Sequence, residues 1–231
     1  MNGSRTQILA KVRAALAVPN DPHVRHGDTA EAHMIRSGDR VAAMRQWLPL
    51  VGPSHEDRKA VFAECSAKLK TRFEVVDSPA AAHAIIAAIA KEEGWQSVAA
   101  HATGLVDAAC AALGLPVVLA SAGYDKDALA ACAGGITGCL ALVAQTGSVF
   151  VTPNSAGGRA LSVIPPHHIV LATRAQLISD LPAAWEMLQA AGELPSFASL
   201  ITGPSRTGDI ERILVLGAHG PKKLTVILVE D

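Results

Sequence analysis

Two hydrophobic periodicities alternate along the chain, and the switches between them lay out its elements. Ile8, Leu9, Val12 and Leu16 follow at helical spacing behind Ser4 and Gln7. That pair has the capping-box form, in which the hydroxyl accepts from one orphan amide and the glutamine reaches back to another. An opening helix is therefore predicted, ended by Pro19. Residues 19–55 break the pattern: Pro19, Pro22, Gly27, Gly38, Gly52 and Pro53 punctuate a polar stretch, with one short helix expected around 41–48. From residue 56 onward, helical patterns and short apolar runs take turns. Helices are expected over 56–71, from the Ser78-Pro79 start to Gly94, over 105–113, from Asp125 to about Cys132, and behind Asp180. Strands are expected over 73–76, 97–100, 116–120, 139–144, 148–152, 168–172, 199–202 and 224–229, with Gln145-Thr146-Gly147 as a hairpin turn. Such alternation predicts an α/β fold with a mostly parallel sheet flanked by helices. The domain reading is an N-terminal helix and polar loop or arm over 1–55, then an α/β domain over 56–231.

Composition narrows the function classes. Half of the 231 residues are hydrophobic but only 3% are aromatic, so the core is built from alanine helices on aliphatic strands. The net charge of −1 comes with scattered lysines and arginines, which argues against a nucleic-acid surface or a polybasic membrane patch. No apolar run reaches the ~20 residues that span a bilayer, and the first helix is amphipathic rather than a secretion signal. Cys65, Cys110, Cys132 and Cys139 form no C-x-x-C pair and sit mostly among small or apolar neighbours, as buried thiols do. A reducing cytoplasm is the expected location. His23, His26, His33 and His55 fall in the 19–55 loop without ligand spacing, so no metal site is expected; a lid or an oligomer-contact arm is the functional alternative for that loop.

Dinucleotide, Walker, nucleophile-elbow and zincin fingerprints are missing. Four other clusters carry chemistry. They are Gly134-Gly135-Ile136-Thr137-Gly138; Ala144-Gln145-Thr146-Gly147-Ser148; Asn154 through Arg159 to Pro165-Pro166-His167-His168; and Gly203 to Glu211 with His219-Gly220-Pro221 beyond. The last follows an apolar strand, whose carboxyl end is where open α/β sheets bind ligands. Gly203 admits close backbone approach, Ser205 and Thr207 bring hydroxyls, and the Arg206 fork matches a carboxylate or phosphate. Thr146, Gly147, Ser148 and Arg159 complete the candidate anion-binding set. Asp209, Glu211 and His219 are the candidate acid/base groups. Each cluster also has a plain reading as turn chemistry.

Gln145 to Ser148, Leu161 to Pro165, Gly203 to Glu211 and His219-Gly220-Pro221, in this order, resemble the LUD-domain family of lactate utilization proteins. The resemblance implies a fold related to the sugar-phosphate isomerase and CoA-transferase group. It also implies a part in oxidising L-lactate to pyruvate beside partner subunits that carry iron–sulfur clusters; this chain's cysteine spacing holds none. Many members are expected to have an acidic residue at Gln145, where a neutral amide can orient a ligand but supplies no carboxylate base or nucleophile. The expectation is a non-redox subunit, with no cofactor of its own, that binds a small carboxylate or phosphate. A stand-alone enzyme on a phosphosugar or acyl-CoA, or a ligand-free assembly or regulatory protein, are the alternatives, and homo-oligomerisation is compatible with each.

Overall fold

The computed structural model describes residues 48–120, 125–190, 195–207, 215–216 and 219–230. The helix expected at 4–16 and all but the last residue of that expected at 41–48 lie outside them, as do residues 1–47 of the 1–55 arm.

Helix α1 (His55–Leu69) starts where the Ser54 hydroxyl accepts from the Asp57 amide at 3.0 Å and the Asp57 carboxylate accepts from the Ser54 amide at 3.1 Å. Strand β1 (Arg72–Val76) leads to α2 (Pro79–Glu92), which has the expected Ser78 cap and opening proline. Then come β2 (Val98–Ala100), α3 (Gly104–Leu113), β3 (Val117–Leu119), α4 (Lys126–Ala130) and β4 (Gly134–Thr137). Strands β5 (Ala141–Val143) and β6 (Ser148–Val151) flank a single 3-10 turn, Ala144–Thr146. After α5 (Pro153–Ala156) follow β7 (His167–Thr173), β8 (Leu177–Ile178), α6 (Leu181–Ala190), β9 (Ser199–Ile201), β10 (Arg206–Thr207), β11 (Val215–Leu216) and β12 (Lys223–Val229).

Six strands form one parallel sheet in the order β1-β12-β7-β4-β2-β3. The class is α/β, as the alternation predicts. Strands β7 and β12 are buried on both faces, which is why they read as unbroken apolar runs. Ile169, Leu171, Ile227 and Val229 pack under α2 and α3 with Ile86, Ile89 and Val106. Val170, Ala172, Val226 and Leu228 face the other way, onto Phe62 of α1 and onto Leu142, Val149 and Val151. Those last three belong to a separate four-stranded sheet, β8-β5-β6-β9, in which β5–β6 and β6–β9 are antiparallel.

Strand β4 departs from the sequence reading, which takes its residues only as a glycine cluster. Its two glycines are a packing requirement rather than a loop signal. A Cβ on Gly134 would overlap the Trp95 ring, and one on Gly135 would come 2.9 Å from Pro165. Among the described residues no helix is long and apolar enough to cross a membrane.

Candidate functional site

The connections leaving β2 and β4 diverge. From β2 the chain runs through α3 to the edge strand β3; from β4 it runs the other way, toward β7. Such a topological switch opens a crevice outside the carboxyl ends of the strands. A cavity of about 450 Å³ lies there, lined by Thr103 and Gly104 after β2, Gly138 and Cys139 after β4, Thr173 at the end of β7, and Thr152, Asn154 and Ser155 around the start of α5. Leu105, Val106, Leu140, Leu171 and Leu188 supply its apolar wall, and among the described residues no charged side chain lines it.

Two features give this crevice a preference for negative charge. Thr103 caps α3 through its backbone carbonyl, which accepts from Val106 and Asp107, while its hydroxyl makes no cap hydrogen bond. That leaves the Gly104 and Leu105 amides without a partner in the helix, at an end that carries about half a positive charge, which Asp107 in the same turn partly offsets. Gly138 keeps the floor open: a Cβ there would meet the Ser155 carbonyl at 3.3 Å and Thr103 Oγ1 at 3.6 Å. Gln176 donates to the Cys139 carbonyl at 2.6 Å and fixes the opposite wall. Burial pushes the Cys139 thiol up to about 12, so it is a neutral wall atom and no nucleophile. His101, next to the rim, is held by Asn154, whose carbonyl lies 3.1 Å from its Nε2.

The binding and acid/base candidates named from the sequence lie elsewhere. Thr146 donates to Ser148 Oγ at 2.8 Å, and the Ser148 hydroxyl shares a 2.8 Å hydrogen bond with Thr202. Gly147 has φ +63, and a Cβ there would come 2.8 Å from that of Cys65 on α1. This turn is packed rather than open. Gln145 donates from its side chain to the Pro49 carbonyl at 3.3 Å. Arg159 is exposed and stacks over the Phe197 ring at 5.4 Å.

Gly203, at φ +87, passes over the Leu69 carbonyl. Ser205 donates its amide to Pro221 at 2.9 Å and accepts from the exposed His219 amide at 3.4 Å, so the last two motifs clasp each other. Strand β9 belongs to the smaller sheet, so its end is not one of the carboxyl ends of the parallel one. Arg206 instead lines a cavity with Arg72, His167 and Lys223, at the amino ends of β1, β7 and β12. Thr207 pairs with Val215, and Asp209 and Glu211 lie outside the described residues. The clusters therefore divide. Thr146, Ser148 and the Gly203 loop adjoin one another, whereas Arg206 opens on a different space. Of the crevice residues, the sequence reading reached Gly138, Asn154 and Ser155 as members of clusters; Thr103, Thr173 and Gln176 lay in no motif. The Thr103-Gly104 cap was the one available signal.

Among the described residues, His55, Glu56 and Glu230 are a trio whose ligand atoms could meet a cation. Glu230 is taken up by His55, Lys59 and Arg174, at 3.0, 3.0 and 2.7 Å, which makes an ion-pair hub of it. The four cysteines are all buried and unpaired.

A family model described as LUD domain matches residues 60–229. Lactate utilization protein C of Shouchella clausii (strain KSM-K16) is 37% identical over 100 residues, covering 42% of this chain and 44% of that protein. The uncharacterized protein YkgG of Escherichia coli (strain K12) is 33% identical over 91 residues, 38% of this chain and 39% of that protein. The matched stretch thus spans less than half the length of these relatives. A crystal structure of a DUF162 family protein from Deinococcus radiodurans superposes with a TM-score of 0.57 at 20% identity, covering 78% of this chain and 99% of that one; at that identity the likeness concerns the fold.

Proposed function

Since the chain belongs to the LUD domain family, we propose that it serves lactate utilization as a subunit that binds a small carboxylate in the crevice between β2 and β4. The observation that carries this reading is the start of α3 opening onto a cavity whose described walls are uncharged. A carboxylate there meets first-turn amides and the Thr103 hydroxyl, and its carbon skeleton meets Leu105, Leu140 and Leu171. The two electrons that leave L-lactate as it becomes pyruvate pass to iron–sulfur clusters on partner subunits. This chain's part is to bind and orient, and it takes no electron itself.

Titrating the purified chain with L-lactate and with pyruvate tests the reading. Thr103→Val keeps the shape and removes the hydroxyl, and should weaken binding about tenfold, the value of one hydrogen bond to a charged group. Gly138→Val should block the crevice and abolish growth on L-lactate in a strain that depends on this gene. Unchanged affinity in Thr103→Val together with normal growth of Gly138→Val would sink the assignment.

A further inference from the structure

At the opposite end of the sheet, the amino ends of β1, β12 and β7 open on a second cavity of about 510 Å³. Five cationic side chains from three segments line it: Lys70 just past α1, Arg72 opening β1, Arg206 in β10, and Lys222 and Lys223 leading into β12. Its floor is His167, which is 5% exposed. The ring lies 2.9 Å from Thr225 Oγ1 through Nε2 and 3.0 Å from Glu93 through Nδ1. Burial lowers the His167 pKa, against the pull of Glu93, so the ring is neutral near pH 7. Glu93 also accepts from Lys223 at 2.8 Å and from the Trp95 indole at 2.9 Å. A smaller hollow bounded by the same Glu93, His167, Lys222 and Lys223 extends the groove toward Pro166.

The described acids nearby offset only part of this positive charge. Glu93 pairs with Lys223, Glu74 with Arg72 at 2.8 Å, and Glu92 is the remaining carboxylate on the wall. The helix ends of α1 and α2 contribute about half a negative charge each. Among the described residues, five cations against three carboxylates and these helix ends leave about one positive charge in excess, with the donors in place. Lys70 and Lys222 form no ion pair among the described residues. The volume is within the ~300–1,000 Å³ of small-molecule sites. Donors approach from three directions, and the arginine fork suits a tetrahedral oxyanion.

We propose that this amino-end cavity binds a small phosphate-bearing molecule. Lys70, Lys222 and Arg206 hold the phosphate, and Ile89, Pro204 and Leu224 meet the rest of the ligand. The site is distinct from the crevice, and the sheet separates the two.

Calorimetric titration of the full chain with inorganic pyrophosphate, at fixed ionic strength, tests the proposal. Saturable binding is expected, with Lys222→Gln and Arg206→Gln each weakening it about tenfold. Arg159→Gln, which removes an exposed arginine that does not line the cavity, should leave it unchanged. Equal weakening by Arg159→Gln would mean general charge attraction and overturn the proposal. So would no binding at millimolar pyrophosphate, or a preference for a poly-glutamate peptide, which would point to an acidic protein partner instead. Thr103→Val should bind pyrophosphate normally, so failure at this cavity and failure at the crevice are read separately.

Discussion

The Ser148 and Thr202 hydroxyls lie 2.8 Å apart beside the β6–β9 pair, and this hydrogen bond joins two distant sequence motifs side chain to side chain. Ser148 is 2% exposed, whereas Thr202 reaches solvent. Ser148→Ala should cost about 1–2 kcal/mol, since it strands the Thr146 donor as well. A double-mutant cycle with Thr202→Val, read by urea unfolding, should give a coupling of about 1 kcal/mol. Strict additivity would mean that the two hydroxyls do not depend on each other.

Two glycines with the same backbone angle should respond very differently to alanine. Gly114 ends α3 at φ +66 with open space where a Cβ would go, so Gly114→Ala should cost only about 1 kcal/mol of left-handed backbone strain. Gly147 at φ +63 is pressed against the Cys65 and Ser66 backbone, so Gly147→Ala adds overpacking and should cost about 2–4 kcal/mol. Equal losses in denaturant midpoint would show that α1 yields freely to the turn.

Acid should weaken the fold through His168. Burial in the middle of the sheet lowers its pKa from the ordinary 6.5 to about 3, with His167 beside it adding to the effect. The unfolded chain therefore binds a proton that the folded chain refuses, and stability falls as pH drops from about 6.5 toward 3. The limiting slope for one such group is about 1.4 kcal/mol per pH unit. His168→Gln retains a partner for Thr137 Oγ1, which sits 2.9 Å from the native ring nitrogen. It should flatten the stability profile between pH 6 and 4, leaving the smaller share of His167, which is lowered in the same direction. A profile as steep as the parent's would place the acid sensitivity elsewhere.

Lys70 closes α1 at φ 63, a conformation that glycine adopts without strain. Lys70→Gly should raise the unfolding free energy by about 1 kcal/mol. If the amino-end cavity is a phosphate site, the same change should weaken pyrophosphate binding, so that stability and affinity move in opposite directions.

The elements were largely legible because their signals are local. Ser78-Pro79 opens α2, Gly114 ends α3, and the apolar runs of β7 and β12 are buried on both faces. Ala183 donates to Asp180 at 3.0 Å, as an N-cap at Asp180 requires. Strand β4 was not legible, because Gly134 and Gly135 lack strand propensity and are demanded by Trp95 and Pro165 from distant parts of the chain. The site was less legible still. A crevice at a switch point depends on strand order, which no local pattern encodes. Thr103 and Gln176 look ordinary until β2, β4 and β7 are side by side. The position of Arg206 turned on the same ignorance: a strand's carboxyl end was identified, but not the sheet to which it belongs.

Strand β12 is inserted between β1 and β7, although it is the last of the described strands to be made. Until Lys223–Val229 leaves the ribosome, β1 has no neighbour in the parallel sheet, and the nascent chain exposes an unfilled slot beside the apolar strand β7. The parallel sheet therefore closes only once β12 has been made, and until then the chain is most in need of a chaperone.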